Sequence, residues 1–148
     1  MTSKAAPLWQ PSRERIERAN LTAFMRLIEK TWHTAVADYD ALWRFSVEQP
    51  EKFWSTVWDE GGVIAETRGN VVIENPGRMP GTRFFPQARL NFAENLLRRR
   101  DGDTAIVFHG EDKVKRTLSF GALYDEVSRL ASALRAAGVG EGDRVAGY

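Results

Sequence analysis

A chain of 148 residues, 43% hydrophobic and 28% charged, can bury a core and matches one domain or a piece of a larger one. Its 21 basic and 20 acidic side chains leave a net charge of +1, which excludes the broad basic face that a nucleic-acid backbone needs. With no cysteine, disulfides, thiolate metal sites and a cysteine nucleophile are excluded, and no run approaches the roughly 20 apolar residues that span a bilayer.

In chain order, residues 1–11 carry Pro7 and Pro11 and read as an arm without regular structure, from which Leu8 and Trp9 could dock on a core. There is no apolar h-region, so no secretion signal is expected and the cytoplasm is the expected compartment. Ser12 can cap a helix running from Arg13 to Glu29, in which Ile16, Ala19, Ala23 and Leu27, with Phe24 and Ile28, fall at helical spacing. Asp40 can cap a second helix, which Pro50 ends. Pro50 also opens a third, whose Phe53, Trp54, Val57 and Trp58 form an aromatic face before Gly61-Gly62. Four of the five tryptophans fall between Trp32 and Trp58. Their helical spacing favours rings that hold short helices together over a platform that stacks a ligand.

Val71 to Glu74 is a strand candidate, and Asn75-Pro76-Gly77 and Met79-Pro80-Gly81 mark a surface loop. Asn91 can cap a short helix over Phe92 to Arg99, with the Arg98-Arg99-Arg100 run at its C-terminal end complementing the helix dipole. Thr104 to Phe108 has the composition of a buried strand, and Lys115 to Leu118 is its hairpin partner across a turn at 110–113. Ser119 caps the most regular amphipathic helix of the chain, with Leu123, Val127, Leu130, Ala131 and Leu134 on one face and Gly138 after it. Asp143 to Tyr148 reads as the start of a further strand, of the kind that a parallel sheet covers on both faces. On this reading the chain is cut partway into a sheet.

No constellation of residues here carries chemistry. Gly138, Gly140 and Gly142 spell G-x-G-x-G, but they follow a helix and precede a strand, the reverse of a dinucleotide loop. His33 and His109 lack converging partners, and Asp125, Glu126 and Arg129 read as solvated contacts on a helix face.

Tyr39-Asp40-Ala41-Leu42-Trp43-Arg44-Phe45-Ser46-Val47, followed by Pro50-Glu51-Lys52-Phe53-Trp54, resembles the N-terminal region of the AMP-forming acyl-CoA synthetases that make acetyl- and acetoacetyl-CoA. Met79 to Pro86 and Ala88 to Leu97 are similar to the same group, in wording closer to its acetoacetate branch, which Pro7 to Ser12 also suits. Thr117 to Phe120, Leu123-Tyr124 and Gly142 to Val145 resemble the wider adenylate-forming superfamily. The resemblance spans the whole chain but only about the first quarter of the family's length. It implies an α/β fold: a helical N-terminal region over 1–62, a loop-rich connection over 63–103, and over 104–148 the beginning of the AMP-binding large domain, truncated. It implies ATP, CoA and Mg²⁺ as cofactors of the parent enzyme and a small carboxylate as its substrate. The family's phosphate-binding loop, ribose-binding Asp and C-terminal Lys would lie downstream of Tyr148. No catalytic, cofactor-binding or metal-ligating residue is therefore assigned within the chain, and this piece alone is expected to bind no cofactor. Its partner would be the remainder of the same polypeptide, with no nucleic acid and no membrane. The alternative is a free-standing, non-catalytic interaction module, with self-association through exposed apolar surface.

Overall fold

The computed structural model describes residues 8–147. The chain forms two compact units, one ending at Leu90 and the other beginning at Asn91.

The first unit carries α1 (Arg13–Glu17), α2 (Asn20–Trp32), α3 (Tyr39–Glu48), α4 (Pro50–Glu60) and the two-residue strands β1 (Ile73–Glu74) and β2 (Arg83–Phe84). Leu8 and Trp9 are exposed and do not dock on a core, although the Arg15 guanidinium lies 5.6 Å from the Trp9 ring centre. Ser12 caps α1, its side chain accepting from the Arg15 N–H. The single helix expected from Arg13 to Glu29 is two, because Ala19 turns to extended backbone (φ −70°, ψ 139°). The Ile16 carbonyl, which would accept from Asn20 in a continuous helix, accepts instead from the Ala19 N–H (3.1 Å) and the Thr22 hydroxyl (2.6 Å). The cap of α3 is Asp38, not Asp40. Asp38 Oδ1 accepts from the Ala41 N–H at 2.8 Å, and Asp40 sits in the first turn, where its charge still suits the dipole.

Ile28, Val36, Leu42 and Phe45 make the buried centre, with Phe24, Met25, Trp32, Ala41 and Phe53 packed around it. Val36 comes from the extended link between α2 and α3, where the Glu29 carboxylate accepts its N–H (2.8 Å). Most of the tryptophan cluster does hold elements together. Trp32 Nε1 donates to the buried Thr56 hydroxyl (2.8 Å), which itself donates to the Lys52 carbonyl (2.9 Å). Trp54 meets Phe84 edge-on, Trp58 meets Phe85, and Arg68 lies against Trp58 and Phe85 while pairing with Asp59. Trp43 is the exception and stays exposed.

The strand expected over Val71 to Glu74 shrinks to Ile73–Glu74, and it pairs with Arg83–Phe84, which the sequence did not mark. A two-residue strand is too short to show alternation. The turn signals between them form the connecting arch, closed where the Thr82 hydroxyl approaches the carbonyls of Asn75 (3.0 Å) and Arg78 (2.8 Å).

The second unit carries α5 (Phe92–Leu96), β3 (Thr104–His109), β4 (Lys115–Ser119) and α6 (Phe120–Ala136). Asn91 caps α5, which ends before the arginines and not at Arg99. β3 and β4 form an antiparallel hairpin, with Ile106 opposite Leu118, Phe108 opposite Arg116, and a register shift between Thr104 and Ile106. Ser119 caps α6 through the Ala122 N–H. The helix ends in a Schellman motif: Gly138 at φ +84° donates to the Arg135 carbonyl, and Val139 to that of Leu134. The strand expected over Asp143 to Tyr148 is irregular through residue 147, since no strand lies beside it among the described residues; Tyr148 lies outside them.

Candidate functional site

The residues with chemical potential do not converge. His33 ends α2 in the left-handed region (φ 51°), serving the backbone, and His109 closes β3 at the surface. Among the described residues no group of three or more His, Asp or Glu side chains is placed to hold a metal ion. The glycines of G-x-G-x-G close on themselves. Gly138 ends α6, the Gly140 N–H donates to Asp143 Oδ2 (2.8 Å), and the Asp143 N–H returns to the Gly140 carbonyl (3.2 Å). No row of free N–H groups faces a phosphate there, so these residues do not fit a nucleotide. Asp125, Glu126 and Arg129 are exposed on α6.

The arginine run does something other than decorate a helix end. Arg99 hydrogen-bonds the carboxylates of both Asp101 and Asp103, and its guanidinium carbon lies over the Phe120 ring, 4.2 Å from its centre. Arg100 lies 3.8 Å from the centre of Tyr124. The hydrogen bond from Arg99 holds the Asp101 carboxyl below its usual range, and bonds to Asp101 and then Asp103 raise Arg99. The carbonyls of Asp101 and Asp103 accept the N–H groups of Gly121 (2.9 Å) and Phe120 (3.0 Å). This junction ties the start of β3 to the first turn of α6. The signal missed in the sequence was the pairing of Arg99 with Asp101 and Asp103 (i+2 and i+4), ahead of two aromatic residues four apart.

What the second unit presents is apolar surface. Not one described residue from 91 to 147 is buried, although this stretch holds a six-residue apolar strand and a 17-residue amphipathic helix. Thr104–Phe108, expected as a buried strand, is largely exposed: Ile106 by 47%, Val107 by 60% and Phe108 by 54%. The hairpin has no second layer over it, and burial requires one. An open groove of about 400 Å³ on the hairpin is lined by Ile106, Phe108, Val114 and Leu118, together with Arg116 and Glu126. Leu130 on α6 is 61% exposed. Exposed apolar side chains gathered along the hairpin in this way suit an interaction face.

Comparison with known proteins gives this face a context. Residues 39–96 match the family model described as acetyl-coenzyme A synthetase N-terminus, and residues 92–148 match that of AMP-binding enzymes. Together the two models cover residues 39–148, so the chain is similar to the N-terminal region of the AMP-binding acyl-CoA synthetase family. Within it, the chain is similar in particular to the N-terminal part of acetoacetyl-CoA synthetases. The enzyme of Rhizobium meliloti (strain 1021) is 46% identical over 140 residues, covering 95% of this chain and 21% of that protein. That of Xenopus tropicalis is 30% identical, covering 98% of this chain and 22% of that protein. The solved structure of acetoacetyl-CoA synthetase from Streptomyces lividans superposes with a TM-score of 0.85 at 36% identity, covering 97% of this chain and 23% of that one. The chain thus spans about a fifth of the length of the curated relatives it matches. The α/β class and the family read from the sequence both hold.

Proposed function

We propose that the chain is the N-terminal scaffold of an acetoacetate–CoA ligase, which converts ATP, acetoacetate and CoA into acetoacetyl-CoA, AMP and pyrophosphate. The observation that carries this reading is the lack of any buried residue among the described residues of the second unit, beside the face of Ile106, Phe108 and Leu118. A helix and hairpin so patterned bury their apolar sides only against further layers, and relatives about five times as long supply them. On this reading the partner is the remainder of the same polypeptide. ATP, CoA and Mg²⁺ then bind through residues outside this chain, and none of the three is routed through any residue described above. The division into a helical segment over 1–62, a connection over 63–103 and the first part of the large domain over 104–148 belongs to the same proposal, as does a cytoplasmic location. In support of the latter, no described helix is long and apolar enough to cross a membrane.

Two measurements test the reading. The product of the complete gene should form acetoacetyl-CoA from acetoacetate, CoA and ATP–Mg²⁺. The 148-residue chain by itself should give no heat on titration with ATP–Mg²⁺. Micromolar nucleotide binding by the short chain would overturn the assignment of the site to other residues. A gene that ends at Tyr148 would favour instead a non-catalytic interaction module, for which the same exposed apolar face is the specific observation.

A further inference from the structure

The β3–β4 hairpin has two edges of opposite character. β4 and its turn carry Lys113, Lys115 and Arg116, the charges with which natural sheets keep an edge from pairing. β3 carries none. Thr104-Ala105-Ile106-Val107-Phe108-His109 holds no Asp, Glu, Lys or Arg and is free of proline and glycine, and among the described residues its only sheet neighbour is β4. The hydrogen-bonding phase of the ladder follows from the hairpin's closing bond, from the Gly110 N–H to the Val114 carbonyl (2.7 Å). Antiparallel pairs alternate, so Phe108–Arg116 and Ile106–Leu118 exchange bonds inward. The N–H and C=O of Val107 and of His109 therefore point away from β4, at the open edge.

We propose that a second copy of this chain pairs with that edge, β3 against β3, antiparallel about a two-fold axis at Val107. A second copy fits because the strand is self-complementary in this register. The Val107 N–H and C=O exchange bonds with those of the other Val107. Phe108 comes opposite Ile106 of the second copy on the apolar face, in the closer type of cross-strand pair. His109 comes opposite Ala105, the residue at which the β3–β4 register shifts. No like charges meet along the strand. The same register sets Asp103 near Glu111 of the second copy, and Asp103 is already paired with Arg99. The β4 edge carries Lys115 and Arg116, charges that disfavour pairing there. The inference concerns the 148-residue chain and does not rest on the ligase reading.

Light scattering on this chain from micromolar to millimolar concentration should show the mass rising from 16.7 kDa towards twice that value. Val107→Pro removes an outward N–H and no bond to β4, a place where an edge strand accepts proline. It should hold the chain at the monomer mass with its circular dichroism unchanged. Leu130→Glu, on the exposed surface of α6, should leave the rise intact. In the wild-type chain the Val107 and His109 amides should exchange with solvent several-fold more slowly at high concentration than at low. This readout stands even if Val107→Pro fails to fold. A constant monomer mass, a Val107→Pro chain that associates like wild type, loss of association in Leu130→Glu, or concentration-independent exchange at Val107 would each overturn the proposal.

Discussion

Arg99 and its neighbours are exposed by accessibility yet fixed in geometry, because three weak contacts converge on one planar group. Its guanidinium reaches Asp101, Asp103 and the face of Phe120 together, and Asp101 and Asp103 in turn accept the first N–H groups of α6 through their carbonyls. A lysine keeps the charge but not the fork or the flat face. Arg99→Lys should therefore free the junction without unfolding α6, seen as faster hydrogen exchange at Phe120 and Gly121 than in the wild-type chain. The pH dependence has a definite sign. Asp101 titrates lower in the folded chain than in the unfolded one because Arg99 bonds its carboxylate. Its contribution is fully present above the unfolded value of about 3.9 and is lost as pH falls through the lowered folded value. Exchange at Gly121, corrected for its intrinsic pH dependence, should rise only below about pH 4, and Asp101→Asn should remove that rise. From the sequence alone the three arginines looked like one charge cluster at a helix end. The difference lay in where α5 stops, and a helix boundary set by one Asn cap and a frayed last turn is not legible to the residue.

At the scale of the element, the sequence was most readable where a local rule has a single physical solution. Ser12, Asn91 and Ser119 cap the helices they precede, Pro50 opens α4, and Gly138 closes α6. It was least readable where two residues could satisfy the same rule or where the partner is distant. Asp38 and Asp40 both offer a carboxylate ahead of α3, and only the backbone at Asp38 (φ −150°) is extended as a cap requires. The break at Ala19 depends on a hydroxyl six residues from the carbonyl it takes over. β2 owes its existence to β1, ten residues earlier. The Gly138 end offers a clean test. Its φ of +84° suits glycine, and an added Cβ would meet nothing within 4 Å, so any cost is backbone strain alone. Gly138→Ala should destabilise the end of α6 by about 1 kcal/mol. It should lower amide protection at Val139 and leave the caps at Ser12 and Asp38 untouched.

For the whole molecule, the division of burial between the units matters more than the count of elements. The apolar residues that are buried, Ile28, Val36, Leu42, Phe45 and Ile73, all belong to the unit that ends at Leu90. The unit beginning at Asn91 has a patterned helix and hairpin but no buried residue among those described. Periodicity in the sequence correctly found α6 and the hairpin, yet it could not say that their apolar sides stay open, because burial depends on layers that a strand or helix does not itself contain. The stability of the two units should differ accordingly, since hydrophobic burial is the dominant favourable term in folding. Phe45, 3% exposed, packs with Ile28, Val36 and Leu42, and truncating such a ring costs about 3–5 kcal/mol. In the 148-residue chain, Phe45→Ala should collapse amide protection across α2, α3 and α4. The protection of β3, β4 and α6, expected to be weak because no described residue of that unit is buried, should change little. Hydrogen exchange resolved by residue distinguishes this from a single cooperative fold, in which one substitution would lower protection everywhere by the same factor.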